Sequence, residues 1–400
     1  MKDRIKSLSA NYLEEVINIR RHLHRNPELS FLEFETSAFV AQKLREYNIP
    51  YTAGIVETGI VAILEGKNPS KKTVALRADL DALPIEETNK SAYKSQVPGV
   101  MHACGHDVHT ASLLGVARIL GDLRNELEGT VKFIFQPGEE KLPGGAKLMI
   151  EQGVLENPVP ASIFAQHVFP SMEAGKVGFR SGMYMASTDE IYVTVKGKGG
   201  HAAMPDQYIN PIIIASHIIT SLQAVFMDKK TLDIPGIPTV LAFGKIIANG
   251  ATNVIPDETR MEGTFRTMDE KWRLEAHAKM KKIAESIAEN MGGSCEFNII
   301  KGYPFLVNNE QITFNARKSA EEYLGKENVE ELELRMTAED FSFYSQRIPA
   351  CFYRLGTGNK AKGITAGVHT SIFDIDEKAL EIGMGLMAWI TVKELSSISP

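Results

Sequence analysis

Apolar residues recur at helical intervals over 12–25, 35–47 and 107–123, and again near 376–394, each pattern ending at a polar break or Asn-Pro. Between them lie short apolar runs rich in β-branched and aromatic residues: "GIVAILEG" (59–66), "TVALRAD" (73–79), "TVKFIFQPG" (130–138) and "ASIFAQHVFP" (161–170). The second and third of these runs flank the helical pattern 107–123, an alternation that predicts an α/β domain with a largely parallel sheet. In such sheets ligands collect beyond the carboxyl ends of the strands. Asp79 and Asp81, Glu139 and Glu140, and His167 all fall where an apolar run stops.

The pattern changes between 186 and 300. Strand "DEIYVTVKG", helix "NPIIIASHIITSLQAVF", strands "PTVLAFGKIIAN" and "ETRMEGTFRT", helix "EKWRLEAHAKMKKIAESIAENM" and strand "CEFNIIKG" follow one another. This β-α-β-β-α-β order predicts a ferredoxin-like α+β domain inserted into the first. The expected division is a discontinuous domain of 1–185 with 301–400, and an insert of 186–300.

With 44% hydrophobic and 24% charged residues, the chain of 400 is globular in composition and long enough for two domains. A net charge of −6 and scattered Lys and Arg give no footprint for nucleic acid. No run approaches the ~20 apolar residues of a membrane span, and the N-terminal segment has no secretory core, so a cytoplasmic location and no membrane partner are expected. Three widely spaced cysteines argue against a disulfide framework. Cys295 and Cys351 read as small buried hydrophobes.

Cys104 has other neighbours, in "MHACGHDVHTASLL" (101–114). Thiolate and imidazole from Cys104, His106 and the nearby His102 and His109 suit first-row divalent metals, although a structural cluster or a redox thiol fits the motif alone. Glu139 and Glu140, in a glycine-bounded turn after an apolar run, point in different directions, so one can bind metal while the other takes a proton from water. His167 ends a similar run, and His369 lies in the Gly-containing loop "TAGVHTSIF".

Six motifs occur in order: "LRADLDALP", "HACGHDVH", "QPGEE", "GKGGHAAMP", "NVIPDE" and "TAEDF". Together they resemble the metallo-amidohydrolases that cleave N-acyl-L-amino acids, comprising hippurate hydrolases, indoleacetyl-amino-acid hydrolases and related aminoacylases of the aminoacylase/carboxypeptidase superfamily. The resemblance implies a two-metal, aminopeptidase-like catalytic domain and an inserted lid that dimerises. It implies that Cys104, His106, Glu140, His167 and His369 hold two divalent ions (Zn, Mn, Ni or Co), and that Glu139 is the general base. Five protein ligands leave both ions room for water and substrate. It further implies that His201 stabilises the oxyanion in the partner subunit's site, and that Asn253 and Arg266 contact substrate, the Arg266 fork suiting an α-carboxylate. The wider superfamily carries His-x-Asp where this chain reads Asp79-Leu80-Asp81, so Asp79 and Asp81, with Asp107 a weaker case, are expected to orient a ligand histidine or tune local charge. The substrate expected is a small N-acyl amino acid. An N-acetyl-diaminopimelate deacetylase and a dipeptidase-like enzyme keep the same chemistry. An inactive metal-binding scaffold is disfavoured by the filled base and ligand positions.

Overall fold

A computed structural model of the protein describes residues 1–227 and 237–397. The chain forms two compact units, one of Met1–Gly182, Val307–Glu333 and Asp340–Pro400, the other of Met183–Leu306 and Leu334–Glu339. The second unit thus begins and ends a few residues outside the expected 186–300, and it includes a short segment near 334–339 that no periodicity marked.

The first unit is built on an eight-stranded sheet in the order 51–55, 59–65, 130–136, 73–79, 162–173, 350–358, 177–179, 329–331. Its centre, the strands Thr130–Gln136, Thr73–Asp79, Ser162–Glu173 and Ala350–Gly358, is parallel throughout. Every residue of Thr73–Asp79 and of Thr130–Gln136 is buried, as expected of strands covered on both faces. "GIVAILEG" departs from the parallel expectation: Gly59–Glu65 runs antiparallel to both neighbours, since a short turn from Tyr51–Ile55 brings it in as a hairpin. The helices Lys2–Arg25, His106–Asp122 and Ala379–Ser396 pack together, and the middle one is buried nearly all round. None of the helices searched is long and apolar enough to cross a membrane.

The second unit has a four-stranded antiparallel sheet in the order 239–247, 258–267, 189–196, 294–301. Along Asp189–Lys196 burial alternates, with Ile191, Val193 and Val195 inside and Glu190, Tyr192 and Lys196 outside. The inward face packs under the helices Pro211–Met227 and Glu270–Asn290, completing a ferredoxin-like sandwich.

Candidate metal centre

Because the four central strands of the first unit are parallel, their carboxyl ends share one edge of the sheet. Asp79 closes one strand and pairs in register with Gln136, which closes the next; the turn after Gln136 carries Glu139 and Glu140. His167 lies in the third strand, opposite Arg354 of the fourth. The ligand turn enters the same edge through Gly105, whose φ of 81° reverses the chain between Cys104 and His106 just before the helix starts.

The five candidate ligands come together there. Donor atoms of Cys104, His106 and His167 lie within 4.8 Å of one another, as do those of Cys104, Glu140 and His369, and those of His106, Glu139 and Glu140. His106 Nδ1 donates to the Asp81 carbonyl at 2.9 Å, with Asp81 Oδ1 at 3.1 Å, which turns Nε2 toward the cluster. His167 Nδ1 donates to the Val168 carbonyl at 2.9 Å, leaving Nε2 3.5 Å from the Cys104 sulfur. Burial, with Arg354 nearby, pushes the His167 pKa well down, so the ring is neutral and its Nε2 lone pair is available. Glu140 Oε1 lies 3.2 Å from His369 Nε2 and 4.0 Å from His106 Nε2.

The chemistry of the site fits divalent cations. His106 Nε2 is buried with no hydrogen-bond partner among the described residues, and Glu140 Oε1 has only His369 Nε2 within 3.2 Å; an unsatisfied buried polar atom costs about 1–3 kcal/mol unless something binds it. The local charge is negative. Burial alone would lower the His106 pKa, yet Asp79 and Cys104 raise it well above the ordinary value. His369 is pushed up to about 10 by hydrogen bonds to Cys104 and Glu140.

Neighbouring groups have other duties. His109 donates from Nδ1 to Asp79 Oδ1 at 2.6 Å and accepts the Val168 N–H on Nε2 at 2.9 Å, so neither nitrogen is left for a metal. His102 is buried and pushed down to about 4 by desolvation, and neither ring nitrogen has a partner among the described residues. Asp81 accepts from Ser30 and from the Glu140 N–H, at 2.6 and 2.9 Å, and so ties the two ligand segments together. Asp107 faces away from the ligand turn, toward Arg20 and His24 at 2.7 and 2.8 Å. Burial would raise its pKa, but these two cations hold it far below the carboxylate range.

His201 and Asn253 belong to the second unit, where the short strands Gly200–His201 and Val254–Ile255 pair and the Ala202 N–H donates to the Asn253 carbonyl at 3.1 Å. Both side chains are exposed. Arg266, half-buried in the strand Glu258–Thr267, donates to the Met336 carbonyl at 3.0 Å. Sequence reasoning assigned no role to Arg77, Asp340 or Arg20. The signal was a charged residue inside a fully apolar run, as in "TVALRAD", and the unexplained acid in "TAEDF".

Residues 75–391 match peptidase family M20/M25/M40. The chain belongs to this family. Among its relatives, the N-acetylcysteine deacetylase of Bacillus subtilis is 40% identical over 96% of this chain and 97% of that protein. The thermostable carboxypeptidase 2 of Saccharolobus solfataricus is likewise 40% identical, over 94% and 95%. The crystal structure of the Bacillus subtilis YXEP protein, described as a dinuclear metal binding peptidase of the M20 family, superposes with a TM-score of 0.84 at 35% identity, covering 97% of this chain and 99% of that one. As an M20 protein the chain is a metal-dependent hydrolase of amide bonds.

Proposed function

We propose that the protein hydrolyses the amide bond of N-acyl-L-amino acids, with Cys104, His106, Glu140, His167 and His369 holding two divalent ions and Glu139 acting as general base. The observation that carries this reading is the orphaned buried His106 Nε2 inside a ring of thiol, imidazole and carboxylate groups whose ligand atoms converge within 4.8 Å. Divalent ions held by these residues would supply Lewis acidity, polarising an amide carbonyl and lowering the pKa of water toward ~7. Glu139 is buried beside them, its carboxylate accepting from the Asp340 N–H at 3.3 Å. It accepts a proton from the attacking water and returns it to the amide nitrogen as the C–N bond breaks, yielding a carboxylic acid and a free amino acid. Zinc, manganese, nickel and cobalt all suit this donor set.

The second unit serves in this reading as a lid and dimerisation module of a cytoplasmic homodimer. Its support is an edge strand, Thr239–Ile247, paired on one side only among the described residues and exposing Ile246 and Ile247. His201 then reaches the partner subunit's site as an oxyanion donor, while Asn253 and Arg266 contact the substrate, the Arg266 fork suiting its carboxylate. A second reading, removal of the C-terminal residue from a short N-blocked peptide, is favoured by the likeness to a carboxypeptidase.

A screen of N-acetyl, N-benzoyl and indoleacetyl amino acids and N-blocked dipeptides, on apo protein reloaded separately with Zn, Mn, Co and Ni, tests the proposal. Metal-restored release of amino acid from the simple N-acyl compounds is expected. Turnover of peptides alone would move the assignment to the second reading, and full activity in chelator would reject both.

A further inference from the structure

Arg77 stands in the middle of a strand whose seven residues are all buried. A guanidinium there is a poor way to gain stability, because its desolvation commonly cancels what its ion pairs return. Its three nitrogens are nevertheless committed: Nη1 to Asp79 Oδ2 at 2.6 Å, Nε to Gln136 Oε1 at 2.9 Å, and Nη2 to Asp340 Oδ1 at 2.7 Å.

Asp340, itself fully buried, is gripped from its other side. Its Oδ2 accepts from Gln136 Nε2 at 2.8 Å and from the Ala146 N–H at 2.9 Å. A side chain held at this many points fixes its own peptide plane, and the N–H of that plane donates to Glu139 Oε1 at 3.3 Å. At the opposite end of the guanidinium, Asp79 receives His109 on Oδ1 and lies 3.7 Å from His106 Nε2 through Oδ2. A single planar fork thus spans the carboxylate and the imidazole wall of the metal cluster, and only Arg has the geometry to hold both.

We propose that Arg77 and Asp340 are positioning residues that fix the Glu139 carboxylate relative to the ligand His106. The proposal rests on the reading of Glu139 as the general base. Neither residue acts on substrate directly; they set the direction of the proton-accepting oxygen, so their loss appears in turnover and not in substrate binding.

Asp340→Asn keeps the shape of the side chain but cannot accept from both Gln136 and Ala146 on its amide nitrogen. In the metal-loaded enzyme, kcat for an N-acetyl amino acid is expected to fall roughly 10- to 100-fold, the range typical of groups that orient active-site ligands. KM should stay within about threefold, as for an interaction made in the transition state alone, and metal content by elemental analysis should be unchanged. In a Glu139→Gln background the same substitution should cost less than about twofold, because the two changes act through one carboxylate. Unchanged kcat in folded Asp340→Asn, or an equal loss in both backgrounds, would overturn the proposal. If Asp340→Asn does not fold by circular dichroism, Arg77→Lys carries the test, since it keeps the charge and loses the fork; a raised KM with normal kcat would then count against positioning. The two readings fail separately. A Glu139→Gln enzyme of near-normal activity removes the base assignment, whereas an inactive Glu139→Gln beside a fully active Asp340→Asn removes the positioning role alone.

Discussion

Gly105 shows how far one residue can decide the metal centre. Its φ of 81° lies in the left-handed region, and a Cβ added there would meet Val168 Cγ2 at 2.6 Å. Backbone strain of about 1–2 kcal/mol and a comparable cost of overpacking are therefore expected for Gly105→Ala. Cys104 and His106 flank this residue, so the variant should lose bound metal in dialysis faster than the parent as well as melting lower; unchanged retention would show that the turn tolerates another conformation. At this scale the sequence pointed to the thiol, imidazoles and carboxylates that the structure gathers at one edge, and was silent about how each is hydrogen-bonded. His102, His106 and His109 are alike in "HACGHDVH", and they part only through hydrogen bonds: His106 keeps one nitrogen unpaired toward the cluster, His109 has both engaged, and His102 has neither.

At the scale of elements, the N-terminal helix does more than cover the sheet. Arg20 is wholly buried, donating to Asp107 at 2.7 Å and to Asp374 at 3.1 Å beneath the Tyr93 ring, while Arg21 holds Glu377 with two bonds. Asp107 is the second residue of the helix that starts at His106, and Asp374 follows His369 by five positions, so one helix pins two ligand segments. Arg20→Met leaves Asp107 buried without this partner, and a loss of about 3–5 kcal/mol is expected, with metal affinity lowered roughly 10- to 100-fold in a chelator competition. In the second unit, Asp189 joins the first strand to the helix Glu270–Asn290. It is buried and receives Arg273 through two nitrogens and His277 at 2.7 Å. Burial alone would raise its pKa, but the hydrogen bonds from His277 and Arg273 hold it below the ordinary value. A depressed carboxylate contributes its stability above the unfolded pKa of ~3.9 and loses it as pH falls through the folded value. Asp189→Asn should therefore lower the urea midpoint at pH 7, with the gap from the parent narrowing below about pH 4. Trp272 fluorescence in a Trp389→Phe background reports this unit alone, and a gap independent of pH would reject the ion-pair account.

At the scale of the whole molecule, the proposed dimer would let each site draw on a second subunit. His201→Ala and Glu139→Gln proteins, each inactive alone, should regain partial activity when mixed, because one of the two sites in a mixed dimer would combine an intact Glu139 with the partner subunit's intact histidine. No recovery despite demonstrated subunit exchange would place His201 outside the partner's chemistry. The chain passes between its two units at 182–183, 306–307, 333–334 and 339–340. Only the first two crossings lie near a change of hydrophobic period. The later excursion follows no such change, since six residues are too few to show one.

Element type, the ferredoxin-like order of the insert and the places of Asp79, Glu139 and Glu140 at or just past strand ends were determined by the sequence itself, whereas His167, expected where a strand stops, lies inside Ser162–Glu173. Hydrophobic period reflects backbone geometry over a few residues and survives without knowledge of the fold. Strand direction and partnership were decided by the tertiary structure. The hairpin orientation of Gly59–Glu65 depended on its neighbours, and the bond from Arg77 to Asp340 joins residues 263 positions apart. Such contacts exist only once the sheet has brought distant segments to one edge, where burial forces every polar atom to find a partner or a metal.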